Sequence, residues 1–148
     1  MAEVTLNPRY PMNRQFLISV VVMFILSLGL GFVVHACLLK GDYLQLPNLM
    51  RSEAGQQRHF PAMLLAHAFI AVGITAIYRR GREAGKSSIG QGLRFGILLA
   101  VVSTIPVYLI YYAVQPMPLS LVEKQVVLDT IATIILGIAV AGLNKPAV

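Results

Sequence analysis

Four side chains with proton-handling or ligand-forming chemistry lie inside otherwise apolar runs of this chain: His35, His67, Tyr108 and Asp129. A carboxylate, two imidazoles and a phenol can exchange protons or hold a small polar headgroup, and two His with one Asp can ligate a transition metal. Asp129 is the most demanding of the four. The stretch "VVLDTIATIILG" (126–137) otherwise reads as bilayer core, where an ionisable group must face the bundle interior and find a partner. The spacing does not favour a metal or a haem, because the chain has no HxxxH, HExxH or CxxCH pattern. No bound cofactor is therefore expected, and no residue is assigned a catalytic role.

Steps of four residues stay near one helix face, and they connect each of these groups to small residues. The first span gives Ser27, Gly31 and His35; the second gives His67, Ala71 and Thr75. The third gives Gly96, Ala100, Thr104 and Tyr108; the fourth gives Asp129, Thr133, Gly137 and Ala141. Small residues at this spacing let membrane helices approach closely, so the stripes predict the faces that pack together. Each stripe ends in one bulky polar residue, which is carried inward with it. The four polar residues fall in the same outer third of the membrane, and a His/Tyr/Asp layer is predicted there. Arg58 and His59 stand at its mouth. The same groups also serve as plain hydrogen-bond glue between helices, at about 0.6 kcal/mol per bond.

The elements that must position this layer follow from composition. The 148 residues are 57% hydrophobic and 12% charged, with a mean hydropathy of +0.73, whereas a soluble domain carries roughly 25% charged residues. Four runs satisfy the roughly 20 apolar residues that a spanning helix needs: about 16–39, 61–78, 93–114 and 122–143. Backbone groups in lipid must be satisfied within the element, so these runs are helices. The predicted fold is all-α, a four-helix transmembrane bundle over 16–143. It is flanked by an N-terminal tail (1–15), an outer loop (40–60) and a short C-terminal tail (144–148).

Lys and Arg are distributed eight against four between the two sides. Arg9, Arg14, Arg79, Arg80, Arg82, Lys86, Arg94 and Lys145 face Lys40, Arg51, Arg58 and Lys124. The positive-inside rule then predicts that both termini are cytoplasmic. The formal charge of +6 reads as topology and headgroup attraction. No basic stripe with interleaved aromatics points to nucleic acid, so the expected partners are the bilayer and either a larger membrane complex or a second copy.

Several local features carry expectations of their own. The first span, at more than 20 apolar residues, exceeds the roughly 7–15 of a signal-peptide core, so it reads as a retained helix. Cys37 is the only cysteine, which excludes an internal disulfide. Pro106 in "STIPVYLIYYAVQP" removes a backbone donor in mid-span and predicts a kink. "GREAGKS" (81–87) encloses three residues between its glycines where a phosphate loop needs four, so it reads as a flexible basic connector. A short surface helix is expected within "DYLQLPNLM", and Tyr10 suits the headgroup zone.

Around the third span, "QGLRFGILLA" and "YLIYYAVQP" resemble segments of small four-span membrane protein families of bacteria, over about His35 to Leu143. The resemblance implies a four-helix fold in a bacterial inner membrane and carries no activity or site residue with it. Small multidrug-resistance transporters also have four spans, but they rely on a carboxylate in the first span, where this chain has none. Two functions remain: an accessory or structural membrane subunit, favoured here, and a small-ligand-binding or proton-coupled transport protein using the polar layer.

Overall fold

The computed structural model describes residues 13–145; Arg9 and Tyr10 of the N-terminal tail lie outside them, as do the last three residues, and the first helix begins at Arg14, within the stretch expected as tail. Four helices are long and apolar enough to cross a membrane: α1 (Arg14–Leu38), α3 (Glu53–Gly81), α4 (Ser88–Val114) and α5 (Leu119–Leu143). A short helix α2 (Lys40–Leu44) lies between α1 and α3. The described residues are helical with turns and no strands. The protein is therefore an all-α, four-span helical membrane protein.

Caps fix the helix starts. Asn13 accepts the Phe16 N–H at 3.0 Å, Ser52 accepts the Gly55 N–H at 3.3 Å, and Ser87 that of Gly90 at 3.5 Å. Those polar caps lie upstream of the apolar runs, so α3 begins at Glu53 and α4 at Ser88 rather than at 61 and 93. Hydropathy locates the lipid-crossing part of a helix, and capping chemistry locates its end.

Two spans contain a π-helical segment. The last turns of α1, Phe32–Leu38, are wound this way, and the Leu39 N–H reaches back five residues to the Val34 carbonyl at 2.9 Å. In α4 the segment is Ala100–Thr104, where the Ile105 N–H reaches back to Ala100. It lies directly before Pro106. The predicted disturbance thus takes the form of a wider turn ahead of the proline, which re-registers the backbone bonds where the proline has no N–H.

The helices pack with α1 and α5 in contact at the centre, α3 against α1, and α4 against α5. The α4/α5 seam is the closest approach. A Cβ added at Gly96 would lie 2.7 Å from the Ile134 Cα, and one at Gly137 would lie 2.5 Å from the Gly92 carbonyl oxygen. Neither position has room for a side chain. Ala71, Thr75, Ala100 and Ala141 are buried as well, and Thr104 and Thr133 share a hydrogen bond of 3.1 Å across the seam. One core, around Met23, Ala71, Ile74, Tyr78, Leu136 and Val140, fills the half of the bundle nearer the termini. A smaller one, Val34, Leu39 and Leu121 with Tyr43 and Leu46 packed on it, closes the opposite end.

Candidate functional site

The smaller core is the floor on which the polar layer stands. Leu39 is buried and Tyr43, one helical turn later, is carried in with it, so α2 is folded back over the ends of α1 and α5. An ion pair of 2.7 Å between Lys124 Nζ and Asp42 Oδ1 holds α2 to α5 from outside. The loop that composition assigned to the interface is thus anchored to the bundle by a phenol and an ion pair.

Three of the four predicted polar residues meet. Tyr108 of α4 donates its hydroxyl to Asp129 Oδ2 of α5 at 2.5 Å, and His35 Nε2 of α1 lies 3.4 Å from the same oxygen. The fourth, His67, is elsewhere. Its Nδ1 lies 3.1 Å from Ser27 Oγ, whose own hydrogen goes to the Phe24 carbonyl at 3.1 Å, so His67 is the donor in that pair. Gly31 makes that approach possible, since a Cβ there would lie 3.3 Å from the His67 ring. Arg58 and His59 are exposed, and His59 Nδ1 bonds its own helix at the Gly55 carbonyl, 2.8 Å away.

Two residues complete the cluster that the sequence reading did not include. Tyr43 places its hydroxyl 2.7 Å from His35 Nδ1, with the two rings stacked at 6.1 Å between centroids. Gln125 donates its Nε2 to the same hydroxyl at 3.0 Å. Both had a signal. Gln125 is one further step of four back along the Asp129 stripe, and Gly92 is one further step back along the Gly96 stripe; both are buried. Tyr43 has no such periodic mark, because a fold-back of the loop puts it there. Burial raises the Tyr43 phenol above its ordinary value, so it stays protonated.

The hydrogen-bond directions can be assigned through the whole cluster. Tyr43 accepts from Gln125, so its own hydrogen is free for His35 Nδ1; His35 then carries its hydrogen on Nε2, facing Asp129. Asp129 Oδ2 receives the Tyr108 hydroxyl and faces the imidazole N–H. The cluster is partly open, with the His35 side chain 39% and that of Asp129 16% exposed. Chemically it is a carboxylate held by neutral donors, joined through one imidazole to a phenol and an amide. No group of three or more His, Cys, Asp and Glu suited to a metal occurs among the described residues.

The opposite end of the bundle has a different character. Arg14, Arg79, Arg80, Arg82, Lys86, Arg94 and Lys145 gather there, and Glu83 is the one acid at that end among the described residues. Glu83 takes Lys86 and Arg94 on its two oxygens, each at 2.5 Å. Gln91 holds the connector: it accepts from the Glu83 N–H at 2.7 Å and donates to the Glu83 and Lys86 carbonyls at 3.0 and 3.2 Å. The connector "GREAGKS", read as flexible, is thus tied to α4, with Gly85 supplying the positive φ its turn needs.

No protein-family model matches the chain, and neither a curated protein nor a solved structure is similar to it at a significant level. What fold and site define together is the class: a four-span helical membrane protein with a partly buried Tyr/Asp/His cluster at the end of the bundle remote from its termini.

Proposed function

We propose that the protein is an accessory subunit of a larger membrane assembly, in a bacterial inner membrane, with both termini cytoplasmic. The observation that carries this reading is the free half of α3. Its buried residues are Ala71, Ile74, Thr75, Tyr78 and Arg79, all in the second half. Between Glu53 and Ala66 every residue is exposed or only partly covered, Phe60 and Met63 among the exposed.

Lipid gives no hydrophobic push between helices, so a half-helix standing away from its bundle forgoes the packing that would hold it. A neighbouring subunit supplies that packing. The polar layer, in this reading, fastens α2 across the bundle end and fixes where α3 leaves it. The charge asymmetry between the two ends supports the orientation. A photo-crosslinking residue in place of Phe60 or Met63, with native mass spectrometry of the protein drawn from its own membrane, tests the proposal. One recurrent heterologous partner supports it; adducts with lipid only count against it.

One observation favours the second reading, a small-ligand or proton-coupled protein. Among the described residues, only Oδ2 of Asp129 is engaged by a side chain, which leaves Oδ1 for a donor from outside. Transport or binding that is lost in Asp129→Asn while the fold survives would favour it over the accessory role.

A further inference from the structure

We propose that His35 is a proton-uptake site whose charge state is transmitted through Tyr43 to the buried amide of Gln125. The argument rests on the hydrogen-bond directions. In the arrangement described above, His35 is neutral and the hydrogens run from Gln125 Nε2 to Tyr43 and from Tyr43 to His35 Nδ1. Adding a proton to Nδ1 ends that sequence, since an imidazolium is a donor at both nitrogens. The Tyr43 oxygen must then accept from Nδ1. Its own hydrogen has to turn away, and the nearest side-chain group on its other side is the Gln125 carboxamide.

Gln125 is 4% exposed, and its Oε1 has no hydrogen-bond partner among the described residues. Turning the amide by half a revolution therefore breaks no bond on its far side; one amide atom is unpaired before and after. On its near side the turn presents Oε1 to the Tyr43 hydroxyl in place of Nε2. The two amide orientations thus correspond to the two charge states of His35. The balance is simple: hydronium gives one proton to His35 Nδ1 and leaves as water, the Tyr43 hydrogen is redirected without leaving its oxygen, the Gln125–Tyr43 hydrogen bond reverses direction, and no other covalent bond forms or breaks.

The surroundings suit uptake at this position. Half-exposed, the imidazole can be reached from the end of the bundle, and the added charge faces Asp129 Oδ2 at 3.4 Å, a loose contact that charge would draw closer. Every element around it contributes a titratable or charged group. Asp129 comes from α5 together with Lys124, Tyr43 and Asp42 from α2, Tyr108 from α4, and His67 from α3 within electrostatic range. Asp42 and Lys124 neutralise one another, so Asp129 is the unbalanced charge beside His35.

The test uses the full-length protein in lipid nanodiscs, with nitrogen-resolved NMR of its imidazole and Gln125 side-chain amide signals between about pH 5 and 8. The expected result is one transition shared by His35 and the Gln125 amide. In Tyr43→Phe the His35 signals still move with pH and those of Gln125 no longer follow. His35→Gln abolishes the Gln125 transition, whereas His67→Gln leaves it in place. Gln125 signals that stay fixed through the His35 transition in the wild-type protein would overturn the proposal, and so would Gln125 still following pH in His35→Gln. The wild-type measurement is independent of whether any variant folds.

Discussion

Among the described residues, Glu83 and Asp129 are the two acids that bridge helices or connectors to α4, and they are held in opposite ways. Glu83 is exposed and receives two full positive charges, Lys86 and Arg94. Asp129 is mostly covered and receives a phenol and an imidazole. Water screens and hydrates the first site, so cations there are mobile and each pair contributes little. At the second, a permanent cation would itself have to be desolvated, and neutral donors are the less costly partners. The difference teaches that this protein ties an acid with cations where water reaches it and with neutral hydrogen-bond donors where the bundle covers it.

Breaking the frame shared by both sites should have the largest effect. Gly137→Leu places a side chain where even a Cβ meets the Gly92 carbonyl at 2.5 Å and the Gly96 Cα at 2.7 Å. Backbone has to move, and about 3 kcal/mol or more of stability should be lost, read by equilibrium unfolding in detergent. Both carboxylate sites should fail together in that variant. Next comes Asp129→Ala, which strands the Tyr108 hydroxyl and the His35 N–H; a loss of about 1–3 kcal/mol is expected in the same assay. Asp129→Asn retains an acceptor and should cost less, which would sharpen the distinction between a lost partner and a lost charge.

Tyr43→Phe should be milder still, at about 1 kcal/mol, because it removes one hydroxyl and keeps the ring packed on Leu39 and Leu121. Its signature should be faster proteolysis between Lys40 and Arg51 without a change in the helix core. The smallest effect is expected for Glu83→Gln, whose unfolding midpoint should stay close to wild type at neutral pH. Lys86 and Arg94 hold the Glu83 carboxyl at about 2, against an ordinary 4.5. A lowered folded-state value means that its contribution is complete above about 4.5 and fades as the pH falls towards 2. A pH series should therefore show a small difference between wild type and Glu83→Gln at neutral pH that closes as the pH falls from about 4.5 towards 2. A large difference at neutral pH would break the comparison.

Much of the molecule was legible in periodicity. Four apolar runs, the glycines at 96 and 137, the small residues at 71, 75, 100 and 141, and the convergence of His35, Tyr108 and Asp129 all follow from steps of four along helices that lipid obliges to form. The same rule, carried one step further back, reaches Gln125 and Gly92. It also gathers His67 with the others, although the structure pairs His67 with Ser27. A stripe fixes a direction on one helix and an approximate depth. It does not fix which residue of the neighbouring helix lies opposite.

That pairing belongs to the tertiary structure. The π-helical segment at Phe32–Leu38 alters the helical register around His35, and the fold-back at Leu39 brings Tyr43 against it. Neither has a period of four, so neither is visible in a stripe. Sequence alone determined that this chain crosses the membrane four times as helices, because desolvating unpaired backbone leaves no other solution. Only packing decided which polar groups share a proton-bearing cluster, because hydrogen bonds act over about 3 Å and depend on helix rotation, loop path and register together.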